Sequence, residues 1–479
     1  MMCNGSFQRL SSTSMALLTM AIFGGCASVD FDKSLSTTNQ MAAGFTQGKL
    51  ALAQTEEQRA EMNRLAEELL KKPLSQSDAV LFALANSPGL QAMLAQNWSD
   101  AARAAQTGRI SNPVFTFEHL LSTGERELSG MIAFGLLDLL TLPQRSRMAQ
   151  SMIDQTQLQL TGDVVDHITQ VRQAWVKAVA ARQSLHYAKQ VHDAAQASAE
   201  LGRLLQSVGN FNKIQRARQQ VFYADATAKW ATAQHEAISA REELIRLVGL
   251  TNDQANRLLL PDRLPDLPKE PLSPEQAGSS TSKTRLDIRL AQAEYEAAAK
   301  AQGMTLLTSF TDIELGLRYD STKDRADGHK TIGRGYEISV RLPIFDWGDN
   351  QRDTMNARTL AAAYRLEATT RAAGSNLRQS YTAYRTTYDI ARHYRDEVVP
   401  LRKAISEENL LRYNGMLIGV FELLADSRDQ INSVIAAIDA ERQFWLADAA
   451  LQASMIGRPV NPSISVTTAG GKEGGDAPH

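Results

Sequence analysis

Ile313-Glu314-Leu315-Gly316-Leu317-Arg318-Tyr319 alternates strictly, apolar against polar or small, and after a polar loop the pattern returns as Tyr336-Glu337-Ile338-Ser339-Val340-Arg341-Leu342. Successive side chains of a strand point to opposite faces. Ile313, Leu315, Leu317 and Tyr319 therefore share one face, as do Tyr336, Ile338, Val340 and Leu342. Glu314, Arg318, Glu337 and Arg341 fall on the other. A weaker copy stands earlier, where Phe115 and Phe117 lead into a loop and Ile132, Phe134 and Leu136 return from it. The pattern predicts hairpins at about 113–137 and 312–342, the second with residues 320–335 as its loop. A hairpin apolar on one side and charged on the other, set in an otherwise helical chain, is the pattern of a barrel wall between lipid and water.

Working outward, the flanks are Ala- and Gln-rich. Ser75 precedes an apolar helical run that must end before Pro88, and helix resumes from Gly89 to about Arg109. Pro143 marks the return to helix after the first hairpin, and nothing but Gly162 interrupts the helical pattern over 144–206. Val164, Ile168, Val171, Trp175 and Ala178 recur at four-three spacing, the seam of a coiled coil. A helix of ~60 residues is ~90 Å long. Val208-Gly209-Asn210-Phe211 turns the chain, and a return helix closes at Gly249.

The plan then repeats. Pro261, Pro265, Pro268, Pro271 and Pro274 predict a stiff extended linker over 261–282, between a first repeat at 26–260 and a second at 283–458. In the second repeat a helix over 283–304 leads to the strong hairpin. Pro343 and Gly348 make its exit, a helix follows over 350–413, and Asn414-Gly415 turns it. Ile431, Val434 and Ile438 keep helical spacing on the way back to Gly457. The tail, 459–479, is expected to be disordered.

The N-terminus reads as a processing signal. Arg9 is the only charge before Asp30, and the apolar run over 15–23 is too short to span a bilayer. It ends in Gly24-Gly25-Cys26-Ala27-Ser28, which resembles a bacterial lipobox with Cys26 as the lipidated residue that opens the mature chain after a signal peptide at 1–25. An ordinary secretory signal cleaved nearby is the alternative. Cys3 and Cys26 are the only cysteines, so the mature chain is expected to hold no disulfide and to rely on burial or oligomerisation.

The net charge of −2 gives no electrostatic case for nucleic acid. No later run suits a transmembrane helix, so a membrane crossing would be made by strands. The histidines form no four-spaced pair with a carboxylate motif, and no phosphate-binding Gly loop opens a helix after a strand; neither an enzyme nor a cofactor or metal site is indicated. Four strands from one chain would leave two unpaired edges in lipid. Several copies must close a barrel, and three would give twelve strands.

Ala83-Leu84-Ala85-Asn86-Ser87-Pro88, Arg285-Leu286-Asp287-Ile288, Leu342-Pro343-Ile344-Phe345-Asp346-Trp347-Gly348, Arg412-Tyr413-Asn414-Gly415 and Glu422-Leu423-Leu424-Ala425-Asp426-Ser427-Arg428 stand in an order and spacing that resemble the TolC family of outer-membrane efflux proteins. The resemblance covers residues 74–457. Asp138-Leu139-Leu140-Thr141-Leu142-Pro143 departs from it, lacking the Gly-rich strand exit. It implies a mainly α fold with a transmembrane β part: a trimeric twelve-stranded β-barrel continuous with an α-helical barrel, anchored in the outer membrane and extending into the periplasm. It also implies a homotrimer that docks a periplasmic adaptor bound to an inner-membrane pump, and passive conduction of substrates outward. A duct for type I protein secretion would share the fold, and a lipid-tethered structural coiled coil is the alternative from another class.

The two bends are the candidate partner-binding tip: Val208, Gly209, Asn210 and Phe211 with Tyr413, Asn414, Gly415, Met416 and Leu417. Arg203, Arg216, Glu422 and Asp426 lie within a few turns of the bends and are candidate gate residues that pair between helices. Glu314, Arg318, Glu337 and Arg341 are the candidate lumen-facing strand residues.

Overall fold

The computed structural model describes residues 30–43, 45–46, 48–278, 285–308, 312–324, 327–342 and 344–460. Cys26, the signal at 1–25, part of the linker (279–282), Pro343 and the tail from 461 lie outside the described residues. By its contacts the chain divides into two units, one holding the strands (1–34, 95–160 and 287–371) and one holding the remaining helices (35–94, 161–286 and 372–479).

In the first unit both hairpins form and join in one antiparallel sheet. Its strands are β1 (Val114–Leu121), β2 (Glu125–Gly135), β3 (Ile313–Asp324) and β4 (Lys330–Val340), in that order, so β1 and β4 are the outer strands. The register aligns the apolar set across the sheet. Phe115 faces Ile132, Ile132 faces Leu317, and Leu317 faces Tyr336; Phe134, Leu315 and Ile338 make the next row. Strand period two then puts the charges on the opposite face.

The second hairpin is longer than the expected loop over 320–335 allows. Ser321, Thr322 and Lys323 pair with Ile332, Thr331 and Lys330, so the ladder runs almost to the turn. All but Ile332 are polar, and the β-branched Thr and Ile suit a pleated ladder.

Three helices start or stop elsewhere than expected. Helix α5 begins at Leu136, directly after β2, and runs to Ser207; Pro143 lies inside it and Leu136 is not in the strand. (Helices α1 to α4 are Phe31–Met41, Glu56–Leu69, Gln76–Asn86 and Pro88–Thr107.) Asp138 accounts for the early start. It lies in the first turn, where a carboxylate suits the helix N-terminus, and it pairs with Arg145 at 2.6 Å and accepts from Ser111. Arg145 also donates to the Thr107 carbonyl. This ion-paired corner replaces the Gly-rich exit. Helix α9 (Leu286–Thr308) runs slightly past its expected end.

The helix expected over 350–413 is broken. Helix α10 (Asp349–His393) passes into a π-helical turn (Tyr394–Val398) before α11 (Val399–Asn414). Pro400 sits at the start of α11, and its ring cannot accept a regular preceding turn.

In the second unit the predicted seam is the core. Val164, Ile168, Val171, Trp175 and Ala178 are all buried, and the Trp175 indole donates to the Leu74 carbonyl at 2.7 Å. Gly162 admits the Arg458 guanidinium, whose nitrogens pair with Asp166. The return helices are α6 (Lys213–Val248) and α12 (Val420–Ile456), and both end on a left-handed glycine, Gly249 and Gly457. Short helices α7 (Asn252–Arg257) and α8 (Pro274–Gly278) flank the Pro-rich segment. That segment is neither helix nor strand, and it is packed down rather than free. Leu264 and Leu267 are buried, Trp445 donates to the Pro265 carbonyl, Tyr388 to Pro268, and the Tyr384 hydroxyl accepts from the Leu272 amide.

Candidate functional site

Two regions carry the residues singled out by sequence. The first is the polar face of the sheet. Glu314 lies opposite Ser339, Glu337 opposite Gly316, and Arg318 opposite Met131 and Gly335. Arg318 donates to Asp320 at 2.9 Å, and Asp320 accepts from Ser129 across the β2–β3 pair. The ion pair and the hydroxyl hold the Asp320 carboxylate in place on this face. Arg341 falls one residue beyond β4; its amide donates to the Asp312 carbonyl and its guanidinium lies 3.8 Å from the Asp312 carboxylate. It closes the end of the ladder rather than sitting within it. Sequence reasoning missed that Glu118, Glu127 and Asp320 share this face. Their signal was the parity of the strand pattern, which was read only in the second hairpin's core.

On the opposite face Phe115, Phe117, Leu317, Tyr336 and Ile338 are all exposed in the protomer. The same exposure continues into the exit segment, where Leu342, Ile344, Phe345 and Trp347 project. Asp346 turns that segment by accepting from the Gly348 amide at 2.8 Å, and Gly348 has a φ of 73°.

The second region is the pair of helix bends. After α5, Gly209 takes a φ of 81°, the Asn210 amide donates to the Leu205 carbonyl and the Gly209 amide to Gln206. Asn212 then caps α6 in a reciprocal box with Gln215. After α11 the expected glycine hinge is not the strained position. Gly415 has a φ of −78°, while Met416 takes a φ of 60°. The Leu417 amide donates to Arg412 and the Met416 amide to Tyr413. Asn414 is the last residue of α11, not part of the turn.

Within the second unit Phe211 and Phe421 approach with ring centroids 4.7 Å apart, joining the two bends. Phe211 is therefore half-buried, unlike its neighbours. Val208 is 69% exposed, Leu417 74% and Met416 93%, and Tyr413 is partly exposed. Ile214 and Val221, which sequence reasoning passed over, are also exposed. With Lys213, Ala217 and Arg218 they line a shallow apolar hollow of about 420 Å³ on one face of α6. The signal was there in the helical spacing of 214, 217, 218 and 221.

The four charges near the bends do not pair with one another in the protomer. Arg203 pairs with Glu200 one turn back, an interaction that lowers the Glu200 carboxyl's pKa and raises that of the guanidinium. Arg216 donates to Gln206 across the first bend. Glu422 and Asp426 occupy the first turns of α12, and Asp426 Oδ2 is buried without a hydrogen-bond partner. Deeper in α12, burial raises Asp448 to about 6, against the pull of Arg172 and a 2.6 Å hydrogen bond from Gln452. Arg172 in turn donates to the Phe45 carbonyl and stacks on the Phe45 ring. Among the described residues no cluster of His, Cys, Asp and Glu could hold a metal ion, and no helix is long and apolar enough to cross a membrane.

No protein-family model and no curated protein sequence matches the chain. Solved structures do. The Campylobacter jejuni CmeC outer membrane channel aligns with a TM-score of 0.66 at 13% identity, covering 89% of this chain and 93% of its own. A membrane protein from Pseudomonas aeruginosa aligns at 0.63 and 18% identity, covering 83% and 93%. The outer membrane protein VceC of Vibrio cholerae aligns at 0.60 and 16% identity, covering 83% and 96%. The chain has the fold of the TolC-family outer-membrane channels.

Proposed function

We propose that this chain is the outer-membrane exit duct of a tripartite efflux system. Three copies pair edge to edge, so that three four-stranded sheets make a twelve-stranded barrel. Glu314, Arg318, Glu337 and Arg341 line its water-filled lumen, and the aromatic and aliphatic face meets lipid. The long helices form a tube in the periplasm. There the exposed stripes on α6 and α11, with Ile214, Val221, Leu401 and Leu411, are covered by neighbouring protomers. The bends bearing Val208, Met416 and Leu417 dock a periplasmic adaptor, which links the duct to an inner-membrane pump that supplies the energy. Arg203, Arg216, Glu422 and Asp426 line the constriction behind them. Cys26 carries the lipid anchor. Substrates pass passively, without cofactor or covalent chemistry.

One observation carries this reading: a single sheet with an apolar face, a charged face and two unpaired outer strands. Water would not favour the exposed apolar face, and lipid would not tolerate the open edges, so closure among copies in a membrane satisfies both. CmeC is described as an outer membrane channel and VceC as an outer membrane protein, which fits the same reading.

The test is to isolate outer membranes from cells expressing the full chain. Trimers that dissociate only on heating, and that conduct ions when added to a planar bilayer, are expected. A monomer that migrates identically before and after heating, without conductance, would return the protein to the class of lipid-tethered coiled coils.

A further inference from the structure

The sheet sorts its charges by face as well as its apolar residues. In the four strands every acid (Glu118, Glu125, Glu127, Glu314, Asp320, Asp324 and Glu337) lies on the face that carries Arg318. The apolar face carries bases alone: Arg126, Lys323, Lys330 and Arg334. Three of these form a row. Arg126 is directly opposite Lys323, and Lys323 is directly opposite Lys330.

Like charges in directly opposed positions on neighbouring strands destabilise a sheet. Nothing in the protomer offsets this row. Among the described residues none of the three forms an ion pair, and Arg126 donates only to the ring of His119 on the same face. All three side chains are exposed.

The position of the row selects its counter-charge. Ile313 and Val340 form the lowest row of the apolar face, and Lys323 lies ten residues further along β3. At ~3.3 Å per residue and a strand tilt of ~40°, the cations stand ~25 Å above that row, the height of a barrel's apolar band. Tyr319 and Arg334, directly opposite one another, stand lower on the same face.

We propose that Arg126, Lys323 and Lys330 form a binding site for the phosphate groups of anionic lipid headgroups in the leaflet on the hairpin-turn side. The proposal rests on the membrane reading above and adds to it a lipid preference. A basic side chain at an anionic membrane surface contributes a factor of about five in affinity. Phosphates placed between the three cations also remove their mutual repulsion.

The experiment uses the full chain with Cys3 and Cys26 replaced by Ser and His329→Cys labelled with a donor fluorophore. It is reconstituted in phosphatidylcholine vesicles carrying a minor fraction of phosphatidylglycerol. Energy transfer is measured to headgroup-labelled phosphatidylglycerol and, separately, to headgroup-labelled phosphatidylcholine. The expected result is an enrichment of the anionic lipid of about fivefold or more. It should vanish in the Arg126→Gln, Lys323→Gln, Lys330→Gln variant and persist in the Lys323→Arg, Lys330→Arg variant. Inorganic phosphate at matched ionic strength should leave it unchanged; competition by phosphate would assign the site to a free anion and overturn the lipid proposal. Equal transfer from both lipids in an inserted protein would also overturn it. Failure of the protein to insert, with no transfer from either lipid, would overturn the membrane reading instead.

Discussion

Met416 holds in the second bend the backbone position that Gly209 holds in the first. Each donates its amide three residues back, to Tyr413 and Gln206, and each is followed by a residue whose amide reaches five back, Leu417 to Arg412 and Asn210 to Leu205. This is the same helix-ending motif twice, with φ values of 60° and 81° at its left-handed position. The motif favours glycine there, and the second bend keeps a methionine that is 93% exposed. Backbone strain held at an exposed apolar side chain fits a docking role.

Replacing that methionine separates stability from docking. A left-handed non-glycine residue costs ~1 kcal/mol or slightly more. Met416→Gly should therefore raise the stability of the purified trimer by up to ~1 kcal/mol, and Gly209→Ala should lower it by a similar amount. Thermal unfolding of both variants checks this. Efflux should move the other way for Met416→Gly, because the exposed thioether side chain is gone. A variant that is both less stable and fully active would contradict both halves of the argument.

This equivalence also shows where the sequence could be read and where it could not. Strand alternation gave both hairpins, their faces and the sheet's charged side, because period two leaves no choice of face once register is set. The buried seam through Val164, Ile168, Val171, Trp175 and Ala178 was equally legible. The bends were located, but the second was centred on Gly415 by residue type. The hydrogen bonds centre it on Met416, and no composition rule predicts a methionine at positive φ. Pro143 misled in the same way. It looked like a helix start, but the Asp138–Arg145 pair starts the helix earlier and the chain tolerates one missing backbone donor. Pro400, which attracted no notice, imposes the π-helical turn. Of the four charges near the bends, Arg203 bonds Glu200 and Arg216 bonds Gln206, partners that residue type and spacing did not single out.

Asp448 predicts a pH dependence of stability. Burial raises its carboxyl to about 6, above the ordinary value of 3.8, so the folded state holds this proton more tightly than the unfolded chain. The resulting stabilisation is complete below the ordinary carboxylate range and is lost as pH rises through about 6. Each pKa unit corresponds to ~1.4 kcal/mol, so the contribution is on the order of 2–3 kcal/mol. Asp448→Asn should make the trimer more heat-resistant than the parent at pH 8 and comparable to it near pH 4. Parallel melting profiles for the two proteins across that range would remove Asp448 as the titrating group.

The short loop between β3 and β4 should face the outside of the cell. Gly328 has a φ of 71°, and a side chain built on it would meet no atom within 4 Å. An epitope inserted after Gly328 should therefore be accepted without disturbing the ladder, which ends at the Lys323–Lys330 pair. Antibody should bind intact cells. Binding only after the outer membrane is ruptured would invert the proposed orientation of the barrel.

The two faces of the sheet should respond to charge in opposite ways. Leu315 lies between Phe134 and Ile338, and Val340 opposite Ile313, so an arginine at either position would enter the apolar band. Mid-bilayer that costs ~2–4 kcal/mol, and each substitution recurs in every protomer of the closed barrel. Leu315→Arg should deplete heat-resistant trimers, and Val340→Arg, in the lowest row of the band, should do so less strongly. Glu314→Gln and Arg341→Gln remove charges that meet lumen water, and both variants should assemble normally. Glu314 also shares its face with Glu118, Glu127, Asp320 and Glu337, against Arg318 alone among the strands' bases. The lumen should therefore favour cations, and Glu314→Gln with Glu337→Gln should weaken that preference, read as a smaller reversal potential across a salt gradient. A structural coiled coil would show neither effect, because both faces of its sheet would meet water or protein. Equal tolerance of arginine on the two faces would remove the membrane assignment and the conduit together.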